Sequence, residues 1–196
     1  MLLKRRMREM AVYLSSNDFN QITNNPKYKV RGRVNRSNGL SLESKIESSC
    51  AFYLSQNIAS IEKTPEPMKI VGKEKETGGI FRAVFMKKAQ PDFKGVLHGG
   101  RCVLFEAKHT TQNYMPKKAV LDVQAEKLTQ YDSLGALCFV LISFGFKNYY
   151  RIPWIVWSNM EETFGRAYLK EEDIQKYKVP SEGNFIDFLF GYKSNF

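Results

Sequence analysis

Residues 91–108 read PDFKGVLHGGRCVLFEAK, and this stretch predicts the centre of the fold. Two runs of extended, largely apolar character, residues 92–97 and 102–108, flank the turn signal His98-Gly99-Gly100. Strand-forming runs that are separated by a short glycine-containing turn are typical of an antiparallel pair. We therefore expect a β-hairpin here, whose second strand carries the most informative residues of the chain.

Helical spacing of apolar residues appears on both sides of this hairpin. Residues 42–54 have apolar side chains at helical intervals, and Ser41 is a candidate N-cap for a helix that begins there. A second helix is predicted over residues 121–131, and a third over residues 161–169. The chain therefore alternates helices with strands.

Two further strands follow the second predicted helix. Residues 137–144 form a nearly unbroken apolar run, which is typical of a strand buried on both faces. Another strand is expected around residues 149–157, where Pro153 indicates an edge or a bend. Together with the hairpin, these elements predict an α/β fold with a central mixed sheet flanked by helices.

Basic residues are concentrated at the N-terminus. The chain has 196 residues and a formal net charge of +10, and residues 1–36 hold nine Lys or Arg against Glu9 and Asp18. We interpret residues 1–39 as a flexible basic arm and residues 40–196 as one domain. A basic block attracts a polyanion by releasing condensed counterions. Nucleic acid is the favoured partner, over a merely solubilising tail or an anionic membrane.

A second basic segment lies between residues 63 and 88. Extended runs at residues 68–71 and 80–86 predict a long hairpin that holds seven Lys or Arg against three Glu. Such a projection is a second candidate surface for DNA.

The cysteines and the apolar runs indicate a cytoplasmic protein. Cys50, Cys102 and Cys138 are odd in number and lie in apolar runs, which is typical of buried free thiols. Residues 1–14 carry four basic side chains where a signal peptide needs an uninterrupted apolar segment. The longest apolar run, residues 137–143, is too short to span a bilayer, so no membrane partner is expected.

The strand at residues 102–108 combines apolar and charged side chains. With a period of two, Glu106 and Lys108 share one face of this strand. Asp92 begins the neighbouring strand, so the hairpin could bring its carboxylate beside that of Glu106. Two carboxylates form an oxygen-rich site for a hard cation such as Mg²⁺ or Mn²⁺, and Lys108 would stabilise a phosphate or orient water. The alternative is a surface salt bridge between Glu106 and Lys108.

Three polar residues on helices are further candidates. Glu43 and Glu47 lie four apart and share a helix face, so either could add a metal ligand or belong to a solvated surface. Gln124 could orient water or contact phosphate, or be an ordinary boundary residue. A zinc site from His98, Cys102 and His109 is disfavoured because the spacing matches no usual ligand pattern.

Several motifs together resemble the RecU family of Holliday junction resolvases. They are GLSLE (39–43), YL (53–54), IASIEKTP (58–65), PDFKGV (91–96), FEAK (105–108) and CFVLIS (138–143), with Gln124 between the last two. The likeness extends over roughly residues 37–180. Two departures stand out: Pro91 replaces an expected small hydroxyl residue, and residues 1–36 do not align. The small, basic chain suits a phage-encoded or mobile-element relative.

The resemblance implies a fold like that of type II restriction endonucleases, with a protruding hairpin stalk, and a homodimer. It also implies Mg²⁺-dependent endonuclease activity, with Mn²⁺ as a substitute, that makes paired nicks in four-way DNA junctions during recombination and repair. Recombination proteins are further candidate partners. The alternatives are a nuclease of the same fold that cuts linear duplex, and a non-catalytic junction-binding protein.

The resemblance also implies roles for individual residues. Asp92, Glu106 and Lys108 match the metal and catalytic positions, with Glu43 or Glu47 as an auxiliary acid, Glu43 being the metal ligand we favour, and Gln124 as a helix-borne site residue. Residues 63–88 match the stalk, and Arg31 and Arg33 match the basic arm. The implied DNA contacts come from Arg31, Arg33, Lys69, Lys73, Lys75, Arg82 and Lys87.

Overall fold

The computed structural model describes residues 26–73, 81–85 and 90–192, with the backbone alone for residues 26–40 and for positions 73, 81, 82 and 85. Contacts between residues divide the chain into two units, Met1–Ser41 and Leu42–Phe196. The second unit contains the central sheet and the candidate site residues of the hairpin.

The helices and strands alternate along the chain. The helices are α1 (Pro26–Ser55), α2 (Asp122–Ser133), α3 (Trp154–Ser158) and α4 (Met160–Phe164), with 3₁₀ helices at Lys117–Ala119 and Glu171–Tyr177. The strands are β1 (Ala59–Lys63), β2 (Met68–Lys73), β3 (Phe81–Phe85), β4 (Phe93–Leu97), β5 (Cys102–Thr110), β6 (Tyr114–Pro116), β7 (Leu137–Phe144), β8 (Asn148–Pro153), β9 (Tyr168–Lys170), β10 (Lys178–Val179), β11 (Ser181–Glu182) and β12 (Phe185–Ile186).

The first helix begins earlier than its sequence pattern predicts. It starts at Pro26 rather than after a cap at Ser41. Proline suits the first helical position because its fixed φ is already helical and its missing N–H would have no partner there. The Lys and Arg residues that follow are good helix formers, so the helix does not need the apolar spacing that begins at residue 42. Within the predicted arm, residues 1–25 lie outside the described part.

In the part of the chain that the structure describes, six strands form the central sheet in the order β1-β4-β5-β7-β8-β10. The β4–β5 pair is antiparallel, as its glycine turn predicts, while β5 and β7 are parallel and are joined by a connection that contains α2. The predicted mixed sheet flanked by helices is therefore confirmed.

Two expected boundaries and one expected burial are wrong. The strand after β7 ends at Pro153, and the chain turns into α3, because proline cannot continue the hydrogen-bonded ladder. The helix expected over residues 161–169 ends at Phe164, where Gly165 adopts a left-handed φ of 69°. Cys102 is exposed, unlike Cys50 and Cys138, because it opens β5 next to the turn.

Alternate residues of β5 and β7 pack into two cores on opposite faces of the sheet. On the α1 side, the rings of Phe93, Phe105 and Phe139 stack in sequence, with centroids 5.0 and 4.6 Å apart. On the α2 side, the buried residues include Leu104, Val140, Ile142, Leu128 and Tyr150. The period of two thus sorts apolar side chains to both faces and fixes which face Glu106 and Lys108 share.

The stalk predicted from the sequence is present as a separate two-stranded sheet. Strands β2 and β3 are antiparallel, from Met68 opposite Phe85 to Lys73 opposite Phe81. Within the residues that the structure describes, no helix combines the length and the apolar character needed to span a bilayer.

Gly95 allows β1 to approach β4 closely. It lies opposite Ile61, and a Cβ added to it would meet the Ser60 carbonyl oxygen at 2.1 Å and the Ile61 Cα at 2.6 Å. These are backbone atoms of a neighbouring strand, so a side chain could be accommodated only by moving β1.

We expect Gly95→Ala to lower the free energy of unfolding by about 1–3 kcal/mol, because overpacking displaces β1 from β4. Urea denaturation followed by circular dichroism would measure this. Lys94→Ala, at an exposed position of the same strand, is the matched control and should change stability far less. Equal stability of the two variants would contradict the close approach.

Candidate active site

Three strands bring polar residues into one row on the α2 side of the sheet. Phe93 lies opposite Phe105, so the register continued by one residue sets Asp92 opposite Glu106. In the same way Lys63 lies opposite Phe93, which sets Thr64 opposite Asp92, and the Thr64 N–H donates to the Asp92 carbonyl at 2.8 Å. Directly opposed residues share a face of a sheet. Thr64, Asp92 and Glu106 therefore form one row, which we call the acidic row.

Reciprocal hydrogen bonds hold the two carboxylates of this row together. The Asp92 N–H donates to Glu106 Oε2 at 3.1 Å, and the Ala107 N–H donates to Asp92 Oδ2 at 3.1 Å. Each carboxylate thus takes a backbone donor from the other strand. The hairpin predicted from residues 91–108 does bring Asp92 beside Glu106.

Glu106 also accepts two side-chain hydrogen bonds on its other oxygen. Lys108 Nζ donates to Oε1 at 2.6 Å, and Gln124 Nε2 donates to the same oxygen at 2.7 Å. The Glu106 side chain is buried, whereas the Lys108 side chain keeps 22% exposure. The pair is therefore not the surface salt bridge that the sequence left open, and Lys108 keeps access to a partner outside the protein.

Gln124 is oriented by the start of α2. Its Oε1 accepts a hydrogen bond from the Leu121 N–H at 3.1 Å, so the amide caps the helix and points its nitrogen at Glu106. The side chain is only 3% exposed. Gln124 is thus buried against Glu106, and a role of its side chain in the chemistry stays a prediction.

The environment of Glu106 favours its protonated form. The pKa of the Glu106 carboxyl is raised to about 7, chiefly by burial and also by the adjacent Asp92, while Lys108 opposes the shift. A carboxyl in this range holds a proton that a cation could displace near neutral pH.

Lys63 lies at the candidate site, although its place in the sequence predicts only a position in the stalk. Its Nζ donates to Glu43 Oε2 at 2.6 Å, and this hydrogen bond is the main reason why its pKa is raised. Glu47 and Asp92 add to the shift in pKa, so Lys63 lies in the field of all three acids. The register between β1 and β4 brings Lys63 to the site, because Lys63 ends β1 one residue before Thr64, which lies opposite Asp92. This register is not visible in the spacing of residues along either strand.

Glu43 and Glu47 differ in their surroundings. Glu43 is half-buried and paired with Lys63, whereas Glu47 is exposed on α1. The structure thus brings Glu43 closer into the network around the acidic row than Glu47.

The acidic row fits a hard cation. Thr64 is 4% exposed, and its Oγ1 has no hydrogen-bond partner among the described residues. Two adjacent carboxylates, Asp92 and Glu106, provide the oxygen ligands that Mg²⁺ commonly takes from a protein, the rest coming from water or substrate phosphate. The described residues contain no cluster of three or more His, Cys, Asp and Glu arranged to hold a metal. A site here would therefore depend on the two carboxylates and on oxygen ligands from outside the chain.

The predicted DNA-binding residues are only partly visible. Lys69 is exposed on β2. In the stalk, Lys73 lies opposite Phe81 and Arg82 lies opposite Gly72, and only the backbone of Lys73 and Arg82 is described. Arg31 and Arg33 lie on α1, also with the backbone alone. Lys75 and Lys87 fall outside the described residues.

Comparison with known proteins identifies the family of the chain. The family described as "Recombination protein U" (RecU) matches residues 37–193. A relative from Bacillus pumilus, named Holliday junction resolvase RecU, is 33% identical over 132 residues, covering 65% of this chain and 63% of the relative. The protein of the same name from Bacillus cereus (strain B4264) is 27% identical over 173 residues, covering 84% of this chain and 86% of the relative.

Further matches have shorter or weaker overlap. The Holliday junction resolvase RecU of Lactiplantibacillus plantarum is 36% identical over 110 residues, covering 54% of this chain and 53% of the relative. A solved structure of the Holliday junction resolvase Hjc from Archaeoglobus fulgidus is 12% identical, with a TM-score of 0.38, over 64% of this chain and 86% of that one. The family match spans nearly the whole domain and includes every residue of the acidic row, and on this basis the chain belongs to the RecU family.

Proposed function

We propose that this protein is a Holliday junction resolvase, an Mg²⁺-dependent endonuclease that makes paired nicks in four-way DNA junctions. The observation that carries the proposal is the pairing of Asp92 and Glu106, with Lys108 beside them, in a chain whose RecU relatives are named Holliday junction resolvases. Mn²⁺ is expected to substitute, since it takes the same oxygen ligands.

Asp92 and Glu106 would hold the metal ion. When bound, the ion lowers the pKa of the attacking water and neutralises charge on the leaving oxygen. Gln124 keeps Glu106 in its observed orientation through the 2.7 Å hydrogen bond to Oε1. Without that amide, a buried carboxylate oxygen would lose one of its two side-chain donors, so Gln124 acts as a positioning residue.

Lys108 is the group best suited to meet the phosphate. Its ammonium is partly exposed and is anchored to Glu106 at 2.6 Å, so it can turn towards charge that develops at the scissile phosphate without leaving the site. Lys63, paired with Glu43, supplies a second positive charge close enough to Asp92 for that carboxylate to raise the pKa of Lys63. The auxiliary acid of the site is then Glu43 rather than Glu47.

Affinity for DNA would come from the basic segments. Arg31 and Arg33 on α1, with Lys69, Lys73, Lys75, Arg82 and Lys87 of the stalk region, are proposed to contact phosphates. The stalk would enter the open centre of the junction and so provide selectivity for branched DNA. The two-fold symmetry of a homodimer would match the two equivalent strands that are cut. Such a protein would act in the cytoplasm. Recombination proteins are further candidate partners.

Asp92→Ala should abolish cutting while preserving binding of the junction, because it removes a metal ligand but none of the proposed phosphate contacts. The expected loss in rate is roughly a hundredfold or more. A labelled synthetic four-way junction and a matched linear duplex, each incubated with Mg²⁺, provide the assay.

Glu126→Ala, an exposed acid on α2, is the control for Asp92→Ala and should cut like the wild type. Symmetric nicks on the junction alone, absent in Asp92→Ala, are the expected result. Equal cutting of the duplex would indicate a linear-DNA nuclease instead, and tight binding without cutting would indicate a non-catalytic junction-binding protein.

The pKa of Glu106 predicts a pH-dependent affinity for the metal. Below pH 7 the carboxyl holds a proton that the ion must displace, and above it the carboxylate is already free. We expect Mg²⁺ or Mn²⁺ to bind the DNA-free protein about tenfold more weakly at pH 6 than at pH 8. Isothermal titration calorimetry measures this affinity at each pH. If binding releases a proton, the measured heat should change with the ionisation enthalpy of the buffer that takes up that proton.

The same proton affects stability in the metal-free protein. Since the pKa of Glu106 is higher in the folded than in the unfolded state, stability should fall as pH rises from about 4.5 to about 7 and then level off. Glu106→Gln, which has no proton to lose, should lack this decline in thermal melts with chelator. Identical pH profiles for the two proteins would show that Glu106 does not titrate near neutrality.

Removing the stalk should reduce selectivity and leave the central sheet intact. Among the described residues, β2 and β3 pair only with each other, so replacing residues 69–84 with a short Gly-Ser turn breaks none of the described strand pairs of the main sheet. We expect the ratio of junction to duplex affinity to fall roughly tenfold, through lost phosphate contacts. Competition binding measures the ratio, and an unchanged ratio in a well-folded variant would remove the stalk from the proposal.

A further inference from the structure

A polar cavity of about 480 Å³ opens on the same face of the sheet as Lys108. Its neutral lining comes from Asn113, Asn148, Tyr150 and Gln175, and its charged lining comes from the segment Lys170-Glu171-Glu172. No residue of the acidic row lines it, so the cavity is separate from the proposed site of hydrolysis.

The strand register gives the separation of two Cα atoms, one beside the acidic row and one in the lining of the cavity. Lys108 lies opposite Ile142, and Ile142 lies opposite Tyr150. Both Ile142 and Tyr150 belong to the core on the α2 side, which is the face that Lys108 shares with Glu106. Two strand spacings of about 4.8 Å separate the Cα atoms of Lys108 and Tyr150 by about 10 Å. That is about three base steps of 3.4 Å, so bases that flank the cut phosphate are within reach of the cavity.

The cavity has the wrong charge for the DNA backbone. One lysine, Lys170, faces two carboxylates, Glu171 and Glu172, and is itself bonded to Glu172 at 3.1 Å. The cavity is therefore locally acidic, although the chain has a net charge of +10 and the neighbouring site is proposed to act on a polyanion. Phosphate would be repelled there, whereas a neutral group that donates hydrogen bonds would be favoured.

Glu171 is held in a fixed position within the cavity. Its Oε1 accepts hydrogen bonds from Asn148 Nδ2 at 2.7 Å and from the Tyr150 hydroxyl at 2.9 Å. Tyr150 is fully buried, and its hydroxyl accepts a further hydrogen bond from Gln175 Nε2 at 3.0 Å. A carboxylate has about four acceptor positions, so these two donors leave capacity for a ligand. The arrangement is that of a pre-organised acceptor rather than a mobile surface acid.

We propose that this cavity binds a DNA base next to the cut through the exocyclic amino group of that base, and that Glu171 thereby contributes to the choice of cleavage site. The amino group of cytosine is the best match, because a carboxylate is its usual side-chain acceptor in direct readout. Asn113, exposed in the loop after β5, would provide a second polar contact to the same base. This inference rests on the proposed function, since only a nuclease that acts at Lys108 places DNA bases beside the cavity.

Single-atom-group changes in the DNA provide the test. Four-way junctions are prepared that each carry one base without its exocyclic amino group. Pyrimidin-2-one replaces cytosine, purine replaces adenine, and hypoxanthine replaces guanine. The replacement is made in turn at each of three positions on either side of the cut. We expect one position at which the loss of the amino group slows cutting by the wild type roughly tenfold or more.

Two variants attribute this effect to the cavity. Glu171→Gln should reduce the discrimination at that position to about twofold or less, because the amide is a weaker acceptor than the carboxylate. Asn113→Ala, at an exposed loop position where folding is not at risk, should reduce it in part. Glu162→Gln, an exposed acid on α4 outside the cavity, is the control and should discriminate like the wild type.

The outcomes separate this inference from the proposed function. Discrimination that persists unchanged in both Glu171→Gln and Asn113→Ala, or its absence at all six positions in the wild type, would overturn the role of the cavity. If the wild type cuts no junction at all, the proposed function fails, and the affinity of the protein for the same amino-deleted junctions then decides the role of the cavity by the same criterion.

Discussion

The buried carboxylate of Glu106 is the constraint on which the rest of the structure depends. An ionisable group in an apolar sheet is unfavourable unless donors surround it. Here the donors are the Asp92 N–H, Lys108 Nζ and Gln124 Nε2, which come from the residue before β4, from β5 and from the first turn of α2. A single side chain therefore ties three elements together, and the arrangement that satisfies it is also the one that can hold a cation.

The surrounding sheet makes this arrangement rigid. On the face opposite Glu106, the stacked rings of Phe93, Phe105 and Phe139 fix the relative positions of β4, β5 and β7. Because Phe105 precedes Glu106 and Phe93 follows Asp92, the packing of one face sets the register of the polar residues on the other. Packing side chains and polar site residues thus alternate along the same strands. A shift of the strand register by one residue would place the phenylalanines on the polar face and the acids in the core.

Charge is distributed unevenly around this centre. Two lysines, Lys63 and Lys108, lie near the paired acids, while the cavity around Glu171 is acidic. The basic segments and the two lysines would attract the phosphates of a polyanion. The acidic cavity would repel those phosphates and accept only uncharged groups. This division separates affinity, which comes from phosphate contacts, from selectivity, which needs contacts to bases or to the branched shape of the DNA.

Local pattern was sufficient for part of this description. The period of two in residues 103–108 puts Glu106 and Lys108 on one face, and the turn at residues 98–100 makes Asp92 their neighbour, because both features depend only on residues close in the chain. The start of α1 at Pro26, the exposure of Cys102, the membership of Lys63 and Thr64 in the site, and the cavity around Glu171 did not follow from it. The places of Lys63 and Thr64 and the cavity depend on packing or on register between segments far apart in sequence, such as β1 against β4, where the absence of a side chain at Gly95 permits the close approach. The start of α1 and the exposure of Cys102 have local causes that the spacing of apolar residues does not reveal. Spacing along one strand determines which residues share a face, whereas tertiary packing alone determines which strands lie side by side and in what register.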